Sequence, residues 1–214
     1  MENYGTPTPV PQNIHPLEYW LNVQYEVPNP PSSALSEMAF NYGQKLSLAY
    51  TSIGAGISAA GAALLTLAWP DRSNAFALVA ALVSVLLLGV GFLVKKSAST
   101  TAPKISGGMP SRGPGSLKSG IWTSAFFVVV LGVILSPVII PVLDYSGGVF
   151  LVGGLYTLLA TSFMSVFLVP AYFIQNARTL FLKRIRSDRN FYEYLSIMST
   201  SWVDPRGSRD FGPL

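Results

Sequence analysis

Residues 46–69 read LSLAYTSIGAGISAAGAALLTLAW, a stretch without a single Asp, Glu, Lys, Arg or His. The hydrocarbon core of a bilayer is about 30 Å thick, and a helix that rises 1.5 Å per residue crosses it with about 20 apolar residues. A backbone in lipid finds no water to bond, so it must satisfy its polar groups internally. This stretch therefore predicts a membrane-spanning α-helix.

Three further stretches have the same character and also lack charged residues: 75–94 (AFALVAALVSVLLLGVGFLV), 120–143 (GIWTSAFFVVVLGVILSPVIIPVL) and 149–174 (VFLVGGLYTLLATSFMSVFLVPAYFI). Of the 214 residues, 50% are hydrophobic and 11% are charged, against about 25% charged residues in an average soluble domain. The sequence predicts an all-α integral membrane protein with four transmembrane helices.

The connections between the stretches differ in length. Residues 70–74 (PDRSN) and 144–148 (DYSGG) are short and rich in turn-forming residues, which predicts two tight helical hairpins, at 44–96 and 120–175. Residues 97–119 are rich in Gly, Ser and Pro and predict a flexible linker. Pro137 and Pro141 lie near the end of the third stretch, so an alternative is that its helix stops before Pro137.

The positive charges indicate an orientation. All of the fourteen Lys and Arg residues except Arg72 lie before the first span, between the second and third spans or after the last span. Cytoplasmic loops carry an excess of these residues. We therefore expect a multi-pass protein with the linker and both termini on the cytoplasmic side, although the sequence does not indicate which membrane holds it.

The two terminal regions have different compositions. Residues 1–43 form a polar, Pro-rich arm, for which we expect an extended conformation and a short helix over 33–43. Its aromatic residues Tyr19, Trp20 and Tyr25 suggest docking on a membrane surface or a partner, with a disordered arm as the alternative. Residues 176–214 form a basic tail that is predicted to be helical over 176–199, so that both terminal regions carry short juxtamembrane helices.

Small residues recur every four positions in two of the spans, and such spacing lets helix backbones approach closely in lipid. The first span carries two such rows and the fourth span carries one; they consist of Gly54, Ala55, Ser58, Ala59, Ala62 and Ala63, and of Gly153, Thr157, Thr161 and Ser165. They are candidates for packing among the protein's own helices, for a partner subunit, or for a second copy of the chain.

Positive charges are concentrated directly after the fourth span, at Arg178, Lys183, Arg184, Arg186 and Arg189. Each cation near an anionic leaflet gains about 1 kcal/mol, so these residues are candidates for contact with anionic lipid. Their alternative role is to determine topology. Because the membrane accounts for the charge, we expect no nucleic-acid partner.

The residues needed for catalysis are sparse. The chain has no cysteine, one histidine (His15) and ten scattered acidic residues, without a phosphate-binding loop or a dinucleotide fingerprint. Coupled transporters keep ionisable residues inside the membrane, and the four stretches have none. We expect no enzymatic activity, no metal site and no cofactor.

These observations favour a non-catalytic membrane protein that acts as a structural, accessory or assembly subunit of a larger complex. Its expected partners are the lipid bilayer and other membrane subunits or copies of itself. One alternative is a homo-oligomeric channel or pore in which the hydroxyl groups of the fourth span line a polar path. Another is a membrane-shaping or virion envelope protein that acts on lipid directly.

Overall fold

The computed structural model describes residues 15–22, 33–69, 74–103, 105, 116–203 and 211–214, and these ranges contain helices but no strand. The helices are α1 (Leu17–Asn22), α2 (Ala34–Ala68), α3 (Asn74–Thr100), α4 (Leu117–Val142), α5 (Gly148–Phe163), a π-helical turn (Met164–Leu168), α6 (Val169–Gln175), α7 (Ala177–Ser187) and α8 (Arg189–Ser201). Four helices are long and apolar enough to cross a membrane: Ala34–Ala68, Asn74–Thr100, Leu117–Val142 and Gly148–Gln175. The predicted all-helical class with four such helices is confirmed.

The chain divides into two compact units. One consists of Met1–Gly43, Ala102–Pro110 and Ala177–Leu214, and we call it the terminal unit. The other consists of Gln44–Thr101 and Ser111–Asn176, and we call it the spanning unit. The terminal regions, which the sequence suggested were an arm and a tail, thus contribute to one folded unit.

Helix α2 begins at Ala34, well before the predicted start of the first span, and continues without a break to Ala68. Ser33 and Ser36 cap its first turn: the Ser36 amide donates to Ser33 Oγ at 3.1 Å, and the Ser33 amide donates to Ser36 Oγ at 3.2 Å. Such reciprocal bonds satisfy amides that have no partner inside the helix. The helix predicted over 33–43 is therefore the first part of the helix that carries the first span.

Prolines are accommodated inside two of the apolar helices. Helix α4 continues through Pro137 and Pro141 to Val142, so the alternative in which it stops before Pro137 is not observed. In the fourth apolar helix, a π-helical turn at Met164–Leu168 ends two residues before Pro170. A proline lacks the amide hydrogen and crowds the carbonyl group four residues earlier, so widening the preceding turn relieves the conflict.

The helices of the spanning unit approach each other at small residues. A Cβ atom at Gly91 of α3 would lie 2.9 Å from the carbonyl oxygen of Ala49 on α2. A Cβ atom at Gly120 of α4 would lie 2.9 Å from the carbonyl oxygen of Phe167. Larger residues at these positions would push the helices apart, so the two glycines determine how closely the backbones pack.

Aromatic rings extend the contact between α4 and the fourth apolar helix. Phe127 stacks on Phe163 and Phe167, with centroid distances of 5.3 and 5.4 Å.

The turn that joins α4 to α5 ends at Gly147, whose φ of +84° favours glycine because a Cβ atom would be strained there. The sequence therefore supplies both the contact between these helices and a residue suited to the turn.

Several predictions fall on residues outside the described ranges. They include the extended conformation of the arm over residues 1–14 and 23–32, which contain Tyr25, and the turn at 70–73, which contains Arg72. Most of the linker after Pro103 and residues 204–210 are also outside them. Within the described part of the linker, α3 continues past Lys95 and Lys96 to Thr100.

Candidate functional site

The small residues of the first and fourth spans contact each other inside the spanning unit. A Cβ atom at Gly54 would lie 2.8 Å from the Cβ atom of Ser165. One turn further along α2, Ser58 Oγ donates a hydrogen bond to Thr161 Oγ1 at 3.3 Å. Because the residue number rises on one helix as it falls on the other, the two helices run antiparallel here.

The same register continues toward the end of α2. Gly61 lies against the side chain of Leu158, and a Cβ atom at Gly154 would lie 3.0 Å from Leu65 Cδ1. Of the other candidate residues on α2, Ala63 is buried, whereas Ala55, Ala59 and Ala62 are half-buried. The structure thus places Gly54, Ser58, Thr161 and Ser165 in one internal helix contact.

The first half of the row on the fourth span lies apart from this contact. A Cβ atom at Gly153 would have no neighbouring atom within 4 Å, and Thr157 is exposed on the same face of α5. The row is therefore divided: Ser165 is buried against α2 and Thr161, although exposed, is bonded to Ser58 of α2, whereas Gly153 and Thr157 lie on the surface of the spanning unit.

The hydroxyl groups of this row donate to their own helix. Thr157 Oγ1 donates to the Gly153 carbonyl at 2.8 Å, and Thr161 Oγ1 donates to the Thr157 carbonyl at 2.9 Å. Ser165 Oγ donates to the Thr161 carbonyl at 2.7 Å. Each hydroxyl group has one hydrogen, so these donors are already occupied.

A cleft of about 620 Å³ opens in the spanning unit, beside the internal helix contact. It is lined by the last turns of α2, the start of α3, the end of α4 and residues 155–162 of α5. Its lining is mainly leucine, valine, isoleucine and phenylalanine, with Ser58, Thr66, Trp69 and Ser162 as the polar exceptions. Ligand pockets in proteins are typically about 300–1,000 Å³ and mostly apolar, so the cleft has the size and character of a ligand site.

The terminal unit is organised around a core of large apolar side chains from both ends of the chain. Its buried members include Leu17 and Trp20 of α1, Leu35 and Met38 of α2, Phe181 and Ile185 of α7, Phe191 and Leu195 of α8, and Phe211 and Leu214. The last residues bond to the first helices: the Leu35 amide donates to the Phe211 carbonyl at 2.8 Å, and the Leu214 amide donates to the Trp20 carbonyl at 3.4 Å.

The aromatic residues of the N-terminal arm have partners within this unit. The His15 ring stacks on Tyr19 at a centroid distance of 4.2 Å, and Trp20 is buried. Tyr192 of α8 donates a hydrogen bond to Glu18 Oε1 at 3.2 Å, which connects α8 to α1. Partial burial raises the pKa of Tyr192, and the negative charge of Glu18 and this hydrogen bond raise it further.

The five candidate lipid-contacting cations differ in exposure. Lys183, Arg186 and Arg189 are exposed, and Arg178 is half-buried. Arg189 forms an ion pair of 2.9 Å with Glu193, and both side chains are largely exposed to solvent. Glu193 balances the charge of Arg189 locally. Such an exposed pair contributes little to stability, so it does not hold the Arg189 side chain in one position.

Arg184 lies in a different environment from the other four. It is only 7% exposed, and its guanidinium group lies over the rings of Phe191 and Tyr42, at 4.2 and 5.1 Å from their centroids. Burial lowers its pKa, while Tyr42 and Asp188 act in the opposite direction. A lipid headgroup has no access to a side chain held between two rings, so Arg184 is a core residue of the terminal unit.

The sequence reasoning missed three features: the cleft, the contacts at Gly91 and Gly120, and the burial of Phe211 and Leu214. Glycines inside apolar spans were a usable signal for the second feature. The apolar residues at the very end of a polar region were a signal for the third.

Within the described ranges, no three His, Asp or Glu side chains are grouped so that they could hold a metal ion. The sequence matches no protein-family model, and it has no significant match among curated proteins or solved structures.

Proposed function

We propose that this chain is a non-catalytic four-span membrane protein that acts as a structural or assembly subunit of a larger membrane complex. The observation that carries the proposal is the open surface at Gly153 and Thr157 of α5. In this proposal, a transmembrane helix of another subunit packs against that surface.

The physical argument comes from the other half of the same row. Thr161 and Ser165 accept a close approach by α2 at Gly54 and Ser58. Lipid tails are as apolar as the side chains, so helices associate in a membrane through close packing, which small residues permit. Gly153 would allow a similarly close approach by another helix, and no atom of the described residues lies within 4 Å of a Cβ position there.

The proposed topology has two helical hairpins with both termini and the linker in the cytoplasm, and the distribution of Lys and Arg supports it. Since the chain contains no cysteine, one introduced thiol reports unambiguously on its own side of the membrane. In intact cells, a membrane-impermeant thiol reagent should label Ser146→Cys, in the turn before α5, and should label Ser187→Cys only after permeabilisation. Labelling of both in intact cells would contradict the proposed orientation.

The assembly proposal is tested by purifying the tagged protein from its own membrane in mild detergent and identifying stoichiometric partners. Gly153→Leu should abolish the association. Gly89→Leu is the matched control, because Gly89 of α3 is also exposed and also has no atom within 4 Å of a Cβ position. Both variants should behave as the unaltered protein in size-exclusion chromatography after partners are removed.

The outcomes separate the hypotheses. Loss of a different protein only in Gly153→Leu supports the proposal, whereas loss of a second copy would identify a self-association surface instead. If neither variant changes the composition of the complex, the assembly role of this surface is wrong. A channel depends on hydroxyl groups facing a polar path, and the hydroxyls of Thr157, Thr161 and Ser165 donate to carbonyls of their own helix, which leaves them only acceptor lone pairs to offer to a solute.

Contact with anionic lipid remains part of the proposal for the exposed cations. Lys183 and Arg186 point away from the buried face of α7, which is formed by Phe181, Arg184 and Ile185. A double change of Lys183 and Arg186 to Gln should weaken binding to anionic liposomes, with about 1 kcal/mol lost per cation. Arg178→Gln and Arg189→Gln extend the same test. Unchanged binding would leave these cations with a role in topology only.

A further inference from the structure

The cleft of the spanning unit has walls from different helices. Ala62 and Leu65 of α2 lie on one side, Leu135 and Val138 of α4 lie on another, and Leu155 and Leu158 belong to α5. The residues of α2 and α4 lie in the last turns of these helices, and Leu155 and Leu158 lie in the middle of α5. The volume of about 620 Å³ lies between these helices and is open on one side to their surroundings.

Two of the polar groups at the cleft already have partners. Thr66 Oγ1 donates to the Ala62 carbonyl at 2.7 Å, and Ser58 Oγ donates to Thr161 at 3.3 Å. A water molecule needs about two to four polar partners to occupy a cavity favourably, and apolar cavities otherwise stay dry. The lining therefore favours an apolar occupant over water or a polar solute.

The length of the cleft matches one leaflet of a bilayer. From Ser58 to Trp69 along α2, the lining extends about 16 Å at 1.5 Å per residue. Half of a hydrocarbon core of about 30 Å is about 15 Å. Trp69 lies at the end of this stretch where α2 finishes, and tryptophan is enriched at membrane interfaces. The cleft thus runs from the level of an interface to the middle of the bilayer.

We propose that this cleft binds one acyl chain of a bilayer lipid, taken from the leaflet in which α2 ends and α5 begins. An unbranched hydrocarbon chain has the required length, is flexible enough to follow the irregular walls, and is present at high concentration where the cleft opens. Its stabilisation comes from dispersion contacts with the leucine, valine and isoleucine side chains, because moving a chain from lipid to an apolar wall removes no water.

The proposal is tested with the full-length protein in liposomes that contain a phospholipid with a photoactivatable acyl chain. After illumination, the protein is delipidated and the crosslinked residues are mapped by mass spectrometry. Adducts should concentrate on cleft residues such as Leu135 and Leu155 relative to exposed lipid-facing residues such as Leu93. Shorter acyl chains should label the cleft less, and labelling should stop rising with chain length once the cleft is filled.

Two variants fill the cleft from opposite walls. Ala62→Phe adds bulk from α2, and Val138→Phe adds it from α4 at a cleft-lining side chain that is 60% exposed, so enlargement is tolerated. Each should reduce cleft labelling about tenfold, which corresponds to 1.4 kcal/mol of lost contact. The matched controls are Ala81→Phe on α3 and Val133→Phe on α4, which are exposed outside the cleft lining and should leave cleft labelling unchanged.

Each outcome is decisive. Uniform labelling of the lipid-facing surface in the unaltered protein, with no enrichment in the cleft, would overturn the proposal. Preferential labelling by a photoactivatable sterol in competition with the acyl probe would also overturn it. Equal cleft labelling in Val138→Phe and Val133→Phe would do the same, provided both elute as the unaltered protein does. These results do not depend on whether a partner helix packs at Gly153, so this inference and the assembly proposal fail separately.

Discussion

The terminal unit and the spanning unit bury opposite kinds of side chain. In the terminal unit, Phe181, Leu35 and Leu195 are fully buried. In the spanning unit, many of the buried residues are alanine and serine, while large residues such as Phe150 (86% exposed) and Val149 (71%) lie outside. The first pattern is typical of a protein domain in water. The second is typical of helices in lipid, where small residues hold the interfaces.

The difference indicates that two separate forces stabilise one chain. In water, burial of apolar area contributes roughly 25 cal/mol per Å², so the terminal unit should be most sensitive to loss of large side chains. In lipid that contribution is absent between helices, and close packing replaces it. The spanning unit should therefore be most sensitive to added bulk at its small residues.

The largest effect is expected from Phe181→Ala in the terminal unit. Phe181 is fully buried and packs edge-to-face on Phe191 at a centroid distance of 5.6 Å. Its truncation should lower the free energy of unfolding of this unit by about 3–5 kcal/mol, since it removes buried area and leaves a cavity. Denaturant titration of the detergent-solubilised protein, followed by fluorescence, measures this change.

The four tryptophans allow each unit to be followed by itself. Trp20 and Trp202 belong to the terminal unit, whereas Trp69 and Trp122 belong to the spanning unit. In a background with Trp69→Phe and Trp122→Phe, fluorescence reports the terminal unit alone. The control Ile197→Ala, at a position that is 68% exposed, should change stability by no more than about 0.5 kcal/mol. Equal effects of both variants would show that the terminal core is not packed as described.

The sequence predicted the spanning helices because their signal is local. Charge-free apolar stretches, such as residues 46–69, are sufficient to predict a helix in lipid, and four such helices are present. The terminal unit could not be predicted in this way, because its core joins segments that are distant in the chain. The bond from the Leu35 amide to the Phe211 carbonyl is one example, and no periodicity within either segment indicates it.

The second prediction concerns added bulk in the spanning unit. Gly54→Leu should lower the stability of this unit by about 1–3 kcal/mol, because its side chain would collide with Ser165. Gly89→Leu should have little effect, since no atom lies within 4 Å of a Cβ position there. Thermal unfolding in detergent, followed by Trp69 and Trp122 fluorescence, distinguishes them. A stable Gly54→Leu protein would contradict the observed contact between α2 and the fourth apolar helix.

The candidate residues were predictable in type but not in their distribution. The spacing of Gly54, Ser58, Thr161 and Ser165 indicated helix contacts, yet only the structure shows that these four meet each other while Gly153 and Thr157 stay exposed. Spacing along one helix does not specify which helix lies opposite. The same limit applies to Arg184, whose burial depends on Tyr42 and Phe191.

The third prediction is a smaller effect at the same helix contact. Ser58→Ala removes the hydrogen bond of 3.3 Å to Thr161, and interhelical hydrogen bonds in membranes contribute about 0.6 kcal/mol on average. The loss should be of that size, because Thr161 Oγ1 still donates to the Thr157 carbonyl. The double variant with Thr161→Ala should cost no more than the sum of the single changes. A loss as large as that of Gly54→Leu would mean that polar bonding, and not close packing, holds the spanning unit.

The smallest effect is expected from pH in the terminal unit. The pKa of Tyr192 is raised above its ordinary value of about 10 by partial burial and by Glu18. A raised pKa favours the neutral phenol, so its contribution to stability is complete below about pH 10 and is lost as pH rises through the folded-state value. The difference in tyrosinate absorbance between the unaltered protein and Tyr192→Phe isolates this one titration among the ten tyrosines.

The midpoint of that difference titration should lie above 10, the unperturbed tyrosine value. Glu18→Gln should move it back toward that value, because the amide still accepts the hydrogen bond of Tyr192 but carries no negative charge. A midpoint at or below the ordinary value, or one that Glu18→Gln leaves unchanged, would show that α1 and α8 are not joined at this pair. The contact between the N-terminal and C-terminal helices would then depend on the apolar core alone. In that case Phe181→Ala, which removes part of this core, would be the variant that tests the contact.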